Sequence, residues 1–405
     1  MRSPNAASGQ AAGACRVLHV ISGMHIGGAE NFLLKLVLAL REERAAGFVI
    51  SVAAGGGMAR RFRDAGIELI ELGLNGGADW WRLPRALHTI RAVVRRWRPD
   101  LIQGWMNHGN LAASFTRAIA APTAQLVWGI RQTVYDIRSE RFSTRVAIRL
   151  QSRISAGADA IVCNSHVGLE QHARLGFHEQ RMKVIPNGFD SHKFLPRPDS
   201  RGLVRQSFGI AAGAFVVAMV ARFHPMKDYR TFLEAVSLAV RDAPHLHALC
   251  IGRGVDAEGS GMHEWLTELG LSGHCTLLGE RGDLDQLYHA VDVVCLTSVR
   301  GEGFPNVIGE AMSCSIPCIV TDVGDAARVV GTTGRVIEPR SPRAVADAIL
   351  ELLRMSLQAR SELGARARER IVSEYSMSAV AGQYLATYAS LVRSGELASR
   401  SIHEE

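Results

Sequence analysis

The sequence predicts an α/β protein built from two doubly wound, Rossmann-like domains. Short apolar runs alternate with helical patterns along nearly the whole chain, and the alternation restarts after a turn-rich interruption near the middle. A chain of 405 residues, 47% hydrophobic and 21% charged, is long enough to bury two ordinary cores.

Strands of the first domain are expected near 15–21, 47–54, 67–72, 100–104, 125–129, 159–163 and 182–186. Those of the second are expected near 215–221, 246–251, 274–278, 291–296 and 316–320. Proline and turn residues crowd Asn187–Gly202, so residues 15–190 read as the first domain, 191–202 as a linker and 203–375 as the second domain. A final helix is expected over about 376–395, and the small, polar residues 1–14 read as a disordered tail with no apolar signal segment. No stretch approaches the roughly 18 uninterrupted apolar residues of a membrane span. The seven cysteines are odd in number and several fall in expected strands, which suits reduced thiols and a cytoplasmic setting.

Charge is unevenly divided. Residues 1–195 hold 25 Lys/Arg against 14 Asp/Glu, a balance of +11, and the remainder holds 21 against 25, a balance of −4. Many of these cations lie in Trp80-Trp81-Arg82 through Arg91, Arg95, Arg96 and Arg98, where aromatic and basic residues share one expected helix. Such a helix can rest peripherally on the inner face of an anionic membrane, receive a phosphate-bearing acceptor, or form the solvated outer layer of the domain. No nucleic-acid-binding signature accompanies the charge.

Two local patterns carry chemistry. In Glu302-Gly-Phe-Pro-Asn-Val-Ile-Gly-Glu310, two carboxylates bracket a tight turn that opens an apolar helix, with Pro305 suited to the first helical turn. At about 100° per residue Glu310 falls beside Val307 and Cys314, on the flank of the buried face. Both acids are expected to open onto one crevice, where the backbone N–H groups of Asn306 and Val307 are free to bind an anion. Earlier, the apolar run Phe215–Ala221 leads directly into Arg222-Phe-His-Pro-Met-Lys227 and a helix. Strand, loop, helix is the setting in which open α/β sheets hold ligands. There a guanidinium and an ammonium can clamp a diphosphate.

The combination of Arg222, Lys227 and Glu302-x7-Glu310 resembles the GT-B retaining glycosyltransferases of the group 1, or GT4, type. Gly27-Gly28-Ala29-Glu30, Val184-Ile-Pro-Asn-Gly-Phe-Asp190, Leu278-Gly-Glu-Arg281 and Pro317-Cys-Ile-Val-Thr-Asp-Val-Gly324-Asp agree, in the family's order, from about Cys15 to Arg393. The resemblance implies the GT-B fold, two Rossmann-like domains facing a central cleft, with the last helix returning to the first domain. It implies transfer of a sugar from a nucleotide-diphosphate donor, UDP-sugar among the candidates, to a glycan or lipid-linked acceptor in polysaccharide synthesis. Glu302, Arg222 and Lys227 take the catalytic roles by that resemblance. Glu310 holds the ribose, Arg281 lies near the base, Phe304, Asn306 and Val307 line the sugar and phosphate pocket, and Gly27 and Gly28 let the backbone approach the donor. With fixed cations at the leaving group no cofactor or metal is required, and Asp283-x-Asp285 reads as a helix cap.

One departure stands out. Many relatives place a histidine after the fifth strand, where this chain has Trp128-Gly-Ile-Arg131-Gln132-Thr133. Gln132 can donate a hydrogen bond but cannot titrate. Arg131, Gln132 and His108 are therefore the acceptor-side candidates. A front-face displacement and a double displacement through Glu302 both remain open. A GT-B sugar-nucleotide epimerase is the nearest alternative. A nicotinamide-dependent oxidoreductase fits poorly, because Gly23…Gly27-Gly28 lacks the dinucleotide spacing and no acid follows the second strand.

Overall fold

The computed structural model describes residues 15–256, 258 and 260–403; the expected tail, 1–14, lies outside the described residues. Seven strands form the first sheet: β1 (Arg16–Ile21), β2 (Ala46–Ser51), β3 (Glu68–Glu71), β4 (Leu101–Trp105), β5 (Gln125–Ile130), β6 (Ala160–Cys163) and β7 (Met182–Val184), in the order β3-β2-β1-β4-β5-β6-β7. Six form the second: β8 (Phe215–Val220), β9 (Leu246–Ile251), β10 (Cys275–Leu278), β11 (Val293–Leu296), β12 (Cys318–Thr321) and β13 (Arg335–Ile337), in the order β10-β9-β8-β11-β12-β13. Strand β1 pairs in parallel with β2 and β4, as β8 does with β9 and β11, with helices between successive strands. This is the two-sheet α/β architecture expected from the sequence.

Each sheet reverses its strand order once, beside β1 in the first and beside β8 in the second. The central strand of the second sheet, β8, is apolar throughout, as a strand covered on both faces requires. Phe215–Val220 is buried throughout; its residues feed two cores, one with Phe232, Val236 and Leu246, the other with Leu249, Val294 and Ile308. β13 was not expected: Arg335-Val336-Ile337 is three residues long, with Val336 exposed, so it carries no apolar run. The strand expected at 291–296 begins at Val293, although Asp292 N already donates to the Val216 carbonyl at 2.8 Å. The Asp292 carboxylate accepts from Val216 N at 2.8 Å and from Arg205 Nη2 at 2.7 Å. The strand expected at 316–320 is displaced to Cys318–Thr321 because Pro317 has no N–H and Ser315 is held at φ 60°.

The chain divides into two compact units. One takes the described residues to Gly129, then Phe142–Ile161 and the stretch from Gln383; the other takes Ile130–Arg141 and Val162–Gly382. In the first unit Tyr388, on the helix Met377–His403, donates to Gln103 Oε1, and Tyr384 stacks on Trp105 at 6.3 Å. In the second, the turn-rich stretch after Asn187 is held down rather than loose. Phe194 is buried against Tyr288, and Arg368 donates to the carbonyls of Ser191 and Phe194 at 3.2 and 3.0 Å.

Two positions test the packing. His19, on the central strand β1, is wholly buried; its Nδ1 accepts from Trp105 Nε1 at 3.2 Å, and burial pushes its pKa down to about 3. Between the ordinary 6.5 and that value the unfolded chain binds one proton more than the folded one, so this contribution to stability is present above pH 6.5 and declines as pH falls. Relative to His19→Gln, which keeps an acceptor for Trp105, wild-type unfolding free energy should lose about 1.4 kcal/mol per pH unit below pH 6; parallel pH profiles in urea titrations would contradict this. At Gly309 a Cβ would lie 2.0 Å from the buried Phe189 ring. Gly309→Ala should therefore cost about 1–3 kcal/mol, and an unchanged urea midpoint would contradict the packing.

Candidate active site

Strands β8 and β11 are neighbours in register, Val217 beside Val293, so the loops leaving their carboxyl ends come out side by side. That is the reversal point of the second sheet, where a crevice opens beyond the strand ends. The β8 loop supplies Arg222 and Lys227; the β11 loop supplies Ser298, Arg300 and Glu302. Thr297 ties the two together by donating to the carbonyls of Lys227 and Asp228 at 3.2 and 3.0 Å. Asp228, in the left-handed region at φ 54°, caps the helix Tyr229–Asp242 through Thr231 N at 3.3 Å. Lys227 therefore leaves a rigid corner.

Glu302 is 5% exposed, deeper than a carboxylate opening freely onto a crevice. Its Oε1 accepts from Ser298 Oγ at 2.5 Å and from Lys227 Nζ. Burying a carboxylate this deeply is costly without such donors. Its backbone is fixed as well. Tyr135 OH donates to the Glu302 carbonyl at 2.9 Å, and Gly324, at φ 65°, passes so close that a Cβ there would lie 2.3 Å from the same oxygen. The sequence singled out Lys227 as a phosphate ligand and Glu302 as a sugar ligand; the structure joins the two as an ion pair.

Arg222 is exposed and enters no ion pair among the described residues. It acts together with Lys227 and Arg300 on one neighbour, His224. The imidazole of His224 is held below its ordinary pKa first by burial and then by the positive charges of Arg222, Lys227 and Arg300. Three cations thus share one loop pair, and one of them is neutralised by Glu302.

The helix Asn306–Ser313 starts beside this cluster, with Pro305 one residue earlier than expected, at the cap position. The N–H groups of Asn306 and Val307 meet no protein acceptor among the described residues. Phe304 is buried and stacks on Phe189 at 5.8 Å, which sets the entry angle of the helix. Asn306 Oδ1 accepts from Asn187 Nδ2 at 2.6 Å, and Asn187 Oδ1 accepts from Arg131. Arg131 is therefore linked to the helix start by one asparagine. Val307 uses its carbonyl to accept from Tyr288 OH at 3.1 Å. Glu310, half-buried on the second turn, sends its charge towards Tyr288 and Cys314; both groups are raised mainly by burial and further by that carboxylate.

The remaining candidates are placed as follows. Arg281 forms a two-pronged pair with Asp283 at 2.9 and 2.7 Å, so Asp283 gives no side-chain cap to the helix Leu284–Leu287, contrary to expectation, and Asp285 turns to Lys193 at 3.6 Å. Gln132 is half-buried, and its Nε2 has no partner among the described residues. Gly27, Gly28 and His108 belong to the first unit. Gly27 caps the helix Gly28–Glu42 and a Cβ on it would lie 2.5 Å from Glu30 Oε2, while Gly28 faces open space. His108 is exposed in the first turn of the helix Met106–Ala120.

Four residues escaped the sequence reading. Ser298, Arg300 and Tyr135 sit in polar loops with no spacing to mark them. Asp325, 3% exposed, accepts from His166 N at 2.8 Å, lies 3.0 Å from His166 Nδ1 and donates its own N–H to the Gly303 carbonyl. Its signal was the Gly324-Asp325 pair inside a motif already recognised.

The chain is similar to known proteins along most of its length. Residues 27–188 match a family model described as glycosyl transferase 4-like domain, and residues 214–355 match one described as glycosyl transferases group 1. The chain is 32% identical over 216 residues to D-inositol 3-phosphate glycosyltransferase of Nocardia farcinica, a match covering 50% of this chain and 47% of that protein. It is 32% identical over 145 residues to the UDP-Gal:alpha-D-GlcNAc-diphosphoundecaprenol alpha-1,3-galactosyltransferase of Escherichia coli, covering 35% and 37%. The chain thus spans about half the length, or less, of these curated relatives. Anabaena Alr3699/HepE in complex with UDP superposes with a TM-score of 0.79 at 24% identity, covering 93% of this chain and all of that one, which shows a common GT-B fold. With both halves of the chain matched in order, the protein belongs to the group 1, GT4-type family of glycosyltransferases.

Proposed function

We propose that the protein transfers a sugar from a nucleotide-diphosphate donor, with retention and without a metal, to a lipid-linked or polysaccharide acceptor. The observation that carries this reading is the cation group Arg222, Lys227 and Arg300 set against the buried carboxylate of Glu302. Breaking a sugar–phosphate bond builds negative charge on the departing diphosphate and positive charge on the anomeric carbon. Fixed charges of both signs, already oriented, answer that demand. The matched Anabaena protein was solved with UDP and also with UDP-glucose, which favours a uridine donor here.

In this reading the diphosphate enters beside Arg222 and the free N–H groups of Asn306 and Val307, and draws Lys227 from Glu302. Glu302, released from its cation but still held by Ser298, then faces the donor sugar. Glu310 takes the ribose. Arg131 and Gln132, both in the second unit, lie on the acceptor side, Gln132 with a donor N–H to spare. The exposed arginines of the helix Leu83–Trp97, which buries only Ala86, Ile90, Val93 and Val94, support peripheral contact with an anionic membrane on the cytoplasmic side. No helix among the described residues is long and apolar enough to cross a membrane.

Lys227→Ala is a poor test, since it strands Glu302; removing one partner of a buried pair costs about 3–5 kcal/mol. Arg222→Ala is better, because that side chain is exposed and unpaired. With UDP-glucose or another UDP-sugar hydrolysed by the purified protein, Arg222→Ala and Glu310→Ala should each lower kcat/KM by about 100-fold or more, roughly 3 kcal/mol of transition-state stabilisation, while the melting temperature holds. Wild-type activity in either variant would refute the site. Turnover in excess EDTA should match turnover in magnesium; strict dependence on the metal would refute the charge-only mechanism.

A further inference from the structure

The opposite end of the second sheet carries another cavity, of about 610 Å³, beside the amino ends of β11 and β12. Arg197 and Arg201, from one stretch, and Arg360, from the helix Leu357–Glu374, reach its wall, and Asp292 is the acid among its lining residues. That acid is already engaged. Asp292 pairs with Arg201 at 2.6 Å and with the buried Arg205 at 2.7 Å, so one carboxylate balances two guanidiniums. Arg360 donates to the Leu352 carbonyl at 3.1 Å and lies 5.0 Å over the Phe215 ring, neither of which cancels its charge. Arg197 is exposed, with no side-chain partner among the described residues. A concave wall with surplus charge of one sign concentrates its field on a counter-ion.

Much of the remaining lining is apolar, Pro196, Ile316, Pro317 and Leu357 among it, with Leu357 78% exposed, and His289, Ser315 and Ser361 add polar groups. A bare inorganic anion would leave that surface wet.

This cavity is joined to the crevice by one helix. Cys314 and Ser315, which close the C-terminal end of Asn306–Ser313, line the cavity, as does Tyr288, whose hydroxyl holds the Val307 carbonyl in the first turn. The connecting turn has no slack. Ser315 sits at φ 60°, and a Cβ on Gly364 would lie 2.0 Å from its carbonyl oxygen.

We infer that this cavity binds a small phosphomonoester with a compact apolar body, separately from the donor, and that its occupancy alters donor affinity through the helix Asn306–Ser313. Fork-shaped guanidiniums suit the phosphate oxygens. The prolines and Leu357 cover the apolar body. Only the second half of the inference rests on the proposed donor.

Calorimetric titration of the full chain with phenyl phosphate tests the first half. One saturable site is expected, weakened about tenfold by Arg197→Ala, the loss of one charge-assisted contact, and unchanged by Arg222→Ala in the crevice. Inorganic phosphate should bind more weakly than phenyl phosphate. Equal affinity in wild type and Arg197→Ala at unchanged melting temperature, loss of binding in Arg222→Ala, equal binding of inorganic phosphate, or no saturable binding would each overturn the assignment. For the second half, UDP is titrated with and without saturating phenyl phosphate. A shift in UDP affinity is expected that in Arg197→Ala needs about tenfold more phenyl phosphate to appear, and an identical UDP affinity would overturn the coupling. Failure of UDP to bind at all would count against the proposed donor and leave the phenyl phosphate result standing.

Discussion

The ion pair between Lys227 and Glu302 is the constraint on which the rest of the crevice depends. Both side chains are largely withdrawn from water, at 19% and 7% exposure, and a charge so placed is costly unless its partner is fixed. Much of the surrounding structure does that fixing. Thr297 anchors the lysine's loop, Ser298 holds the carboxylate, Tyr135 and Gly324 hold the carbonyl behind it, and Asp325 braces Gly303. The pair can exist because two parallel strands, β8 and β11, deliver their loops to one point.

The same geometry gives the pair a working character. Lys227 is paired with an internal anion, Glu302, and acts with Arg222 and Arg300 on His224, while the N–H groups of Asn306 and Val307 at the nearby helix start meet no protein acceptor among the described residues. In the proposed function a diphosphate would compete for that lysine with two negative charges against one, with Arg222 and Arg300 as further ligands. Exchange of partners would leave Glu302 uncompensated at the moment positive charge grows on the sugar. Binding and activation would then be one event, an efficient use of donor affinity.

Much of this was legible in the sequence, and the reasons differ by element. Strands such as Phe215–Val220 announced themselves because burial on both faces demands an unbroken apolar run, and the loop that follows such a strand is where chemistry is expected. The sequence singled out Lys227 and Glu302 separately, but their pairing was not legible, since 75 residues of chain separate them and only the strand order brings them together. β13 was invisible because a three-residue edge strand with one exposed side chain has no pattern to read. The cap expected of Asp283 failed because a nearby guanidinium outbids a backbone N–H for a carboxylate. Ser298 and Tyr135 were missed because they act on Glu302 through single hydrogen bonds from polar loops, a role that leaves no periodic trace.

The exchange of Lys227 from Glu302 to the donor diphosphate is tested most directly by the affinity of UDP for Glu302→Gln, which keeps the shape and the bond to Ser298 while removing the competing charge. Titration calorimetry should show UDP bound about tenfold more tightly than by the wild type, the release of one competing contact of about 1–2 kcal/mol. UDP affinity that is unchanged or weaker in the variant would contradict the account.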